Sequence, residues 1–183
     1  MATADNAAER ELVNAAKLGD TAAFESLMRA HAHRVYAHGL RFFGDSGAAD
    51  DVVQEVFVKV YRSIATFDGT AAFTTWLYRI TRNVCLDLLR AGKRRPMAVD
   101  LLDVSLQASD DPMAEAITAV AFESVMRTLA PEDREALSAV TLFGLTYAQA
   151  GEVLGVPAGT VKSRVFRARK TLITALRGEG GVA

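Results

Sequence analysis

Between Ala158 and Arg177 the chain carries Lys162, Arg164, Arg167, Arg169, Lys170 and Arg177 and no acidic residue. Cations at helical spacing suit phosphate oxygens and the O6 and N7 acceptors of guanine, and the hydroxyls of Thr160 and Ser163 can bond phosphates or base edges. A second basic block, "FTTWLYRITRNVCLDLLRAGKRRP" from Phe73 to Pro96, sets Arg79, Arg82, Arg90, Lys93, Arg94 and Arg95 against the single acid Asp87. It mixes these cations with Trp76 and Tyr78. Such a mixture can hold the phosphates of a displaced strand while rings or pockets reward an unstacked base.

The opposite charge is gathered elsewhere. Asp45, Asp50, Asp51 and Glu55 cluster ahead of the Phe73 block, and Asp100, Asp103, Asp110, Asp111, Glu115 and Glu123 fill residues 97–126, where no Lys or Arg occurs. The blocks cancel to a formal net charge of -1, so the average conceals a strongly uneven distribution.

Other reactive residues offer less. His31, His33 and His38 lie in "HAHRVYAH", but residues two apart point to different faces of a helix, and no carboxylates join them. They read as surface histidines. Cys85, the single cysteine, excludes an internal disulfide framework and reads as a small apolar core residue. No Gly-rich phosphate loop, nucleophile elbow or paired acid motif stands out. The expectation is a protein that is not an enzyme and uses no metal or cofactor.

The elements that position the basic blocks are helices. In "DDVVQEVFVKVYR" the residues Val52, Val53, Val56, Phe57, Val60 and Tyr61 recur at three- and four-residue spacings, which predicts one buried stripe. Asp45 or Ser46 can cap that helix. Upstream, Phe24, Leu27, Met28, Val35 and Leu40 share a stripe that stops at Gly44. Downstream, Phe67-Asp68-Gly69 marks a loop before a helix from about Ala72 to Ala91. Residues 96–112 lack an amphipathic period and read as an acidic linker. A second helical unit begins near Met113, and Pro131 suits the first turn of its next helix. Thr146 is a natural N-cap for "YAQAGEVL", Gly155 supplies a break and Pro157 permits a new start, which is helix-turn-helix spacing. Val161, Val165, Leu172 and Leu176 then face inward and the cations outward. No alternating strand pattern occurs, and no apolar run has the length of a signal peptide or a membrane span. An all-α, cytoplasmic protein of two small helical domains is expected.

At this point two blocks, "DDVVQEVFVKVYR" with "FTTWLYRITRNVCLDLLR", and "TYAQAGEVLGVPAGTVKSRVFRARKTL", resemble regions 2 and 4 of bacterial sigma-70-family factors of the extracytoplasmic-function (ECF) group. The resemblance spans roughly residues 20–175. It implies an N-terminal segment (1–19), sigma region 2 (20–95), a flexible acidic linker (96–112), sigma region 4 (113–177) and a tail (178–183).

The resemblance also implies roles. Asp51, Gln54, Glu55 and Phe57 would dock on a coiled coil of the largest subunit of core RNA polymerase. Phe67, Tyr78, Arg79, Arg82, Asn83, Asp87 and Arg90 would meet the minus-10 element, with Asn83 helping to hold a flipped base beside the Ser63–Gly69 loop; Trp76 is assigned to the core. Thr160, Lys162, Ser163, Arg164, Phe166 and Arg167 would read the minus-35 element of promoter DNA, and region 4 would also engage the polymerase flap. An anti-sigma factor is an implied partner, with no membrane insertion and with nucleoid association in the holoenzyme. Two departures stand out: Ala150-Gly151 where Ile-Ala is more usual, expected to loosen packing, and Gln149 where Glu is frequent, which puts a backbone-directed contact there in doubt. A polymerase-independent helix-turn-helix regulator would instead bind palindromic DNA as a dimer, and a hydrolase would show turnover without DNA.

Overall fold

The computed structural model describes residues 2–92 and 125–176, with side chains for 7–92 and 125–175. Every regular element among them is helical. The chain divides into two compact units, Met1–Arg95 and Pro96–Ala183. The acidic linker, Lys93 to Arg95, the start of the helix expected near Met113 and the side chain of Leu176 lie outside the described residues.

The first unit holds α1 (Ala2–Lys17), α2 (Thr21–Phe43), α3 (Ser46–Ser63), a 3-10 turn (Ile64–Thr66) and α4 (Phe73–Arg90). Helix α1 is not expected from the sequence pattern. It packs on α2 through Val13 and Ala16, both buried. Short polar residues fix the starts of the next two helices: Asp20 accepts a hydrogen bond from Ala23 N at 3.0 Å, and Asp45 accepts one from Ala48 N at 2.6 Å. Each caps an N-H that the helix itself cannot satisfy. Gly44 ends α2 at φ 69°, in the left-handed region, and its N-H bonds the Leu40 carbonyl. Helices α2 and α3 meet closely because Gly39 has no side chain: a Cβ there would stand 3.1 Å from Ala49 Cα and 3.2 Å from Val52 Cβ.

The core of this unit is Leu27, Val35, Val52, Val56, Val60, Leu77, Tyr78 and Cys85, all fully buried. The expected stripe on α3 is narrower than its spacing suggests. Val52, Val56 and Val60 are inside, Val53 and Phe57 are half-buried, and Tyr61 is 63% exposed, edge-on to Phe24 at 5.2 Å. At about 100° per residue, Tyr61 falls roughly 140° from the centre of the valine stripe, so the wheel itself excludes it from the core. The histidines also depart from expectation. His33 is exposed on α2, as expected, but His31 and His38 are buried. His31 lies under α1, with Nε2 3.1 Å from Glu9 Oε2 and its ring beside Phe73. His38 stands edge-on to Tyr78.

The described part of the second unit holds a helical stretch at 125–128, then α5 (Pro131–Thr141), α6 (Tyr147–Leu154) and α7 (Ala158–Leu176). Helix α7 packs on both α5 and α6. Its inward residues Val161, Val165, Ala168 and Leu172 meet a core that includes Met126, Leu137, Phe143 and Ala150.

Candidate nucleic-acid interface

Helix α6, a tight turn and helix α7 build the first candidate surface. Thr146 and Gln149 form a reciprocal cap: Thr146 Oγ1 accepts from Gln149 N at 3.2 Å, and Gln149 Oε1 accepts from Thr146 N at 2.9 Å. Gln149 thus makes the backbone-directed contact that a Glu would make at this position. Gly155 terminates α6 at φ 69°. Gly151 does not loosen the packing as expected. It is buried, and a Cβ on it would stand 2.6 Å from the Val156 carbonyl oxygen, so the missing side chain is what allows the turn to fold back on α6.

That turn delivers α7 with one face buried and the other turned to solvent. Lys162, Ser163, Phe166 and Arg167 are exposed, and Thr160 and Arg164 are half-buried on the flank. Phe166 is 69% exposed although its neighbour Val165 is buried, so an apolar ring stands among cations on the solvent side. Arg167 is not a loose surface cation. Its Nε donates to Asp133 Oδ2 at 3.0 Å and its Nη2 to Asp133 Oδ1 at 2.7 Å, and the guanidinium pKa is raised chiefly by that hydrogen bonding. Asp133, on the first turn of α5, is a partner that sequence reasoning misses, because 34 residues separate it from Arg167.

Helix α4 carries the second basic face. Arg79, Asn83 and Arg90 are exposed, and Arg82 and Asp87 are placed along the same helix at three- to five-residue intervals, a spacing that sets Arg79, Asn83, Asp87 and Arg90 on one side. Asp87 accepts from Lys59 Nζ at 2.9 Å and lies 3.4 Å from Arg90 Nη1. The Lys59 hydrogen bond in particular holds its carboxyl below the ordinary value of 3.8. Asp87 therefore ties α4 to α3 and offsets part of the positive face.

The aromatic assignments need correction. Tyr78 is fully buried, and Phe67 is only 7% exposed. Phe67 packs against Trp76 at 5.1 Å and Phe73 at 6.0 Å, so neither Phe67 nor Tyr78 presents an open ring to a base. Their size and apolarity are used inside the fold. Trp76 is half-buried in the same aromatic cluster. The adjoining loop is held by Asp68, whose Oδ1 accepts from Thr70 N at 2.9 Å and Thr70 Oγ1 at 2.8 Å. These bonds, the backbone one first, lower the Asp68 pKa. Between this loop and Glu9, Arg10, Asn14 and Lys17 of α1 lies an open groove of about 490 Å³, a feature that exists only because α1 packs there.

The residues expected to dock polymerase lie on α3. Gln54 and Glu55 are exposed, while Asp51 and Phe57 are half-buried. Val58, 40% exposed, and Tyr61 extend that surface with apolar area; sequence reasoning misses Val58 and places Tyr61 inside. Among the described residues no group of His, Cys, Asp or Glu is arranged to hold a metal ion, and no helix is long and apolar enough to cross a membrane.

Two helical units, one ending in a capped helix-turn-helix with a basic solvent face, define a nucleic-acid-binding class of protein. Sigma-70 region 2 matches residues 27–95 and Sigma-70 region 4 matches residues 119–172. The chain is 35% identical to the RNA polymerase sigma-H factor of Pseudomonas aeruginosa, over 92% of this chain and 94% of that protein. It is 36% identical to the ECF RNA polymerase sigma-E factor of Haemophilus influenzae, covering 92% and 95%. Among solved structures, CnrH in complex with the cytosolic domain of CnrY superposes with a TM-score of 0.68 at 27% identity, over 94% of this chain and 99% of that one. The chain belongs to the sigma-70 family, in its ECF group. It serves promoter-specific transcription initiation through RNA polymerase and is not itself an enzyme.

Proposed function

We propose that the two units divide promoter recognition. Residues 113–177 read the minus-35 element as duplex through α7, and residues 20–95 bind core RNA polymerase through α3 and engage the minus-10 element through α4 as it opens. The observation that carries this reading is the two-faced α7, with Val161, Val165, Ala168 and Leu172 inside and Lys162, Ser163 and Phe166 outside, the last 69% exposed. Such a helix can enter the major groove, where Lys and Ser reach base edges or phosphates and Phe meets a thymine methyl.

On α4, Arg79, Arg82 and Arg90 hold strand phosphates, and the exposed amide of Asn83 hydrogen-bonds an extruded base. Gln54 and Glu55, bordered by Val58 and Tyr61, give the polymerase an acidic and apolar face. Residues 96–112, rich in acids, join the units. The protein works in the cytoplasm, on the nucleoid when in holoenzyme, and is held inactive by an anti-sigma factor; the capture of the 27%-identical CnrH with another protein's cytosolic domain supports such control.

Run-off transcription with purified bacterial core RNA polymerase, with and without this protein, on a pool of promoter fragments tests the reading. Specific transcripts are expected only with both components. Tight binding of a palindrome by the protein alone, with no effect of core enzyme, would make it an ordinary helix-turn-helix regulator.

A further inference from the structure

The pair formed by Asp133 and Arg167 joins α5 to the reading helix, and its geometry is unequal. The Asp133 side chain is 11% exposed, whereas that of Arg167 is 59% exposed. The carboxylate thus sits within the fold while the guanidinium reaches out. Asp133 lies in the first turn of α5, where the aligned peptide dipoles favour a negative charge. The anion is therefore fixed by its helix, and the cation is oriented by the anion.

The atoms engaged define what remains available. Asp133 takes one N-H of Nε and one of Nη2, which form the side edge of the guanidinium. Of the five N-H donors three are left, and the end-on edge, Nη1 with the second hydrogen of Nη2, stays intact in the same plane. That edge can donate two parallel bonds to guanine O6 and N7. A carboxylate at the side edge therefore leaves the reading edge open and removes the side-chain freedom that an unheld arginine would lose on binding.

We infer that Asp133 is a positioning residue for minus-35 recognition: it holds the guanidinium plane of Arg167 so that the end-on edge meets a guanine in the major groove. The inference rests on the proposed role of α7 and adds to it a residue outside the helix-turn-helix.

The test uses full-length protein in holoenzyme with core RNA polymerase, on a promoter recovered from the fragment pool and randomised in its minus-35 element. Transcript yield is read at every position for wild type, Asp133→Asn, Arg167→Ala and the double variant. Arg167→Ala is expected to flatten discrimination at one or two guanines by roughly 5- to 150-fold. Asp133→Asn should flatten it at the same positions by about three- to tenfold, since it keeps the arginine but weakens its orientation. The double variant should be no flatter than Arg167→Ala alone. A uniform fall at all positions, or an unchanged profile for Asp133→Asn, overturns the inference while leaving the promoter reading standing. So does an unfolded Asp133→Asn beside a folded Arg167→Ala, because the carboxylate would then serve the fold. Absence of wild-type transcripts overturns the promoter reading and the inference with it.

Discussion

Substituting Gly151→Ala sets helix propensity against steric fit. In an open helix, Ala in place of Gly stabilises by about 1 kcal/mol. Here the added Cβ would stand 2.6 Å from the Val156 carbonyl oxygen and 3.3 Å from Ala158 N. Non-bonded carbon atoms prefer about 3.5 Å, so the turn must retreat by something on the order of 1 Å. The neighbours are backbone atoms that no rotamer change can move. Gly151 O also accepts the N-H groups of Gly155 and Val156, so the retreat strains both bonds. Overpacking of this kind costs about 1–3 kcal/mol. With the clash at the upper end of that range, the net is a destabilisation of about 1–2 kcal/mol after the propensity gain. For a unit of this size that lowers its melting temperature by roughly 5–15 °C. Trp76, the single tryptophan, belongs to the first unit. Its fluorescence should therefore melt unchanged while the circular dichroism transition of the second unit moves down. The same displacement shifts the start of α7, so minus-35-dependent transcription should fall even below the melting range. A variant more stable than wild type by about 1 kcal/mol would refute the reasoning and show that the turn yields freely.

Other perturbations follow from the same geometry. Leu77→Ala empties a fully buried site and should cost the first unit about 2–5 kcal/mol, read by Trp76 fluorescence in a urea titration. Thr146→Ala removes the α6 cap and should cost about 1 kcal/mol, seen in the second unit alone by circular dichroism. Lys59→Met should raise the Asp87 pKa toward 3.8, because Lys59 is the main cause of its depression, as a carbonyl-carbon NMR titration would report. With a depressed folded value, the stabilisation from Asp87 is present above pH 3.8 and is lost as pH falls through that lower value. Both side chains are about half exposed, so added salt should shrink the effect.

Patterns confined to one helix are legible in the order of residues alone. The alternation of charged blocks, the valines at 52, 56 and 60, Asp45 ahead of α3 and Thr146 ahead of α6 each act within a few residues, where backbone geometry is already determined by spacing and capping. For the same reason the sequence determined that α7 has a basic side, since a helix with Val161 and Val165 inside must turn Lys162 and Ser163 outward. It determined much less about which large residues are spent inside. Tyr78 and Phe67 have the chemistry of stacking partners, yet the packing of α4 against α2 and α3, and of the loop against Trp76, encloses them. His31 and His38 carry polar rings, yet α1, Phe73 and Tyr78 cover them. Gly151 reads as a weak point in a helix until the returning chain at Val156 shows what its missing side chain admits. Asp133 and Arg167 meet only because α5 and α7 pack together across 34 residues. Spacing along one chain can state which face a residue takes, but enclosure depends on a second element arriving from a distant part of the sequence, and only the tertiary structure decides where that element lands.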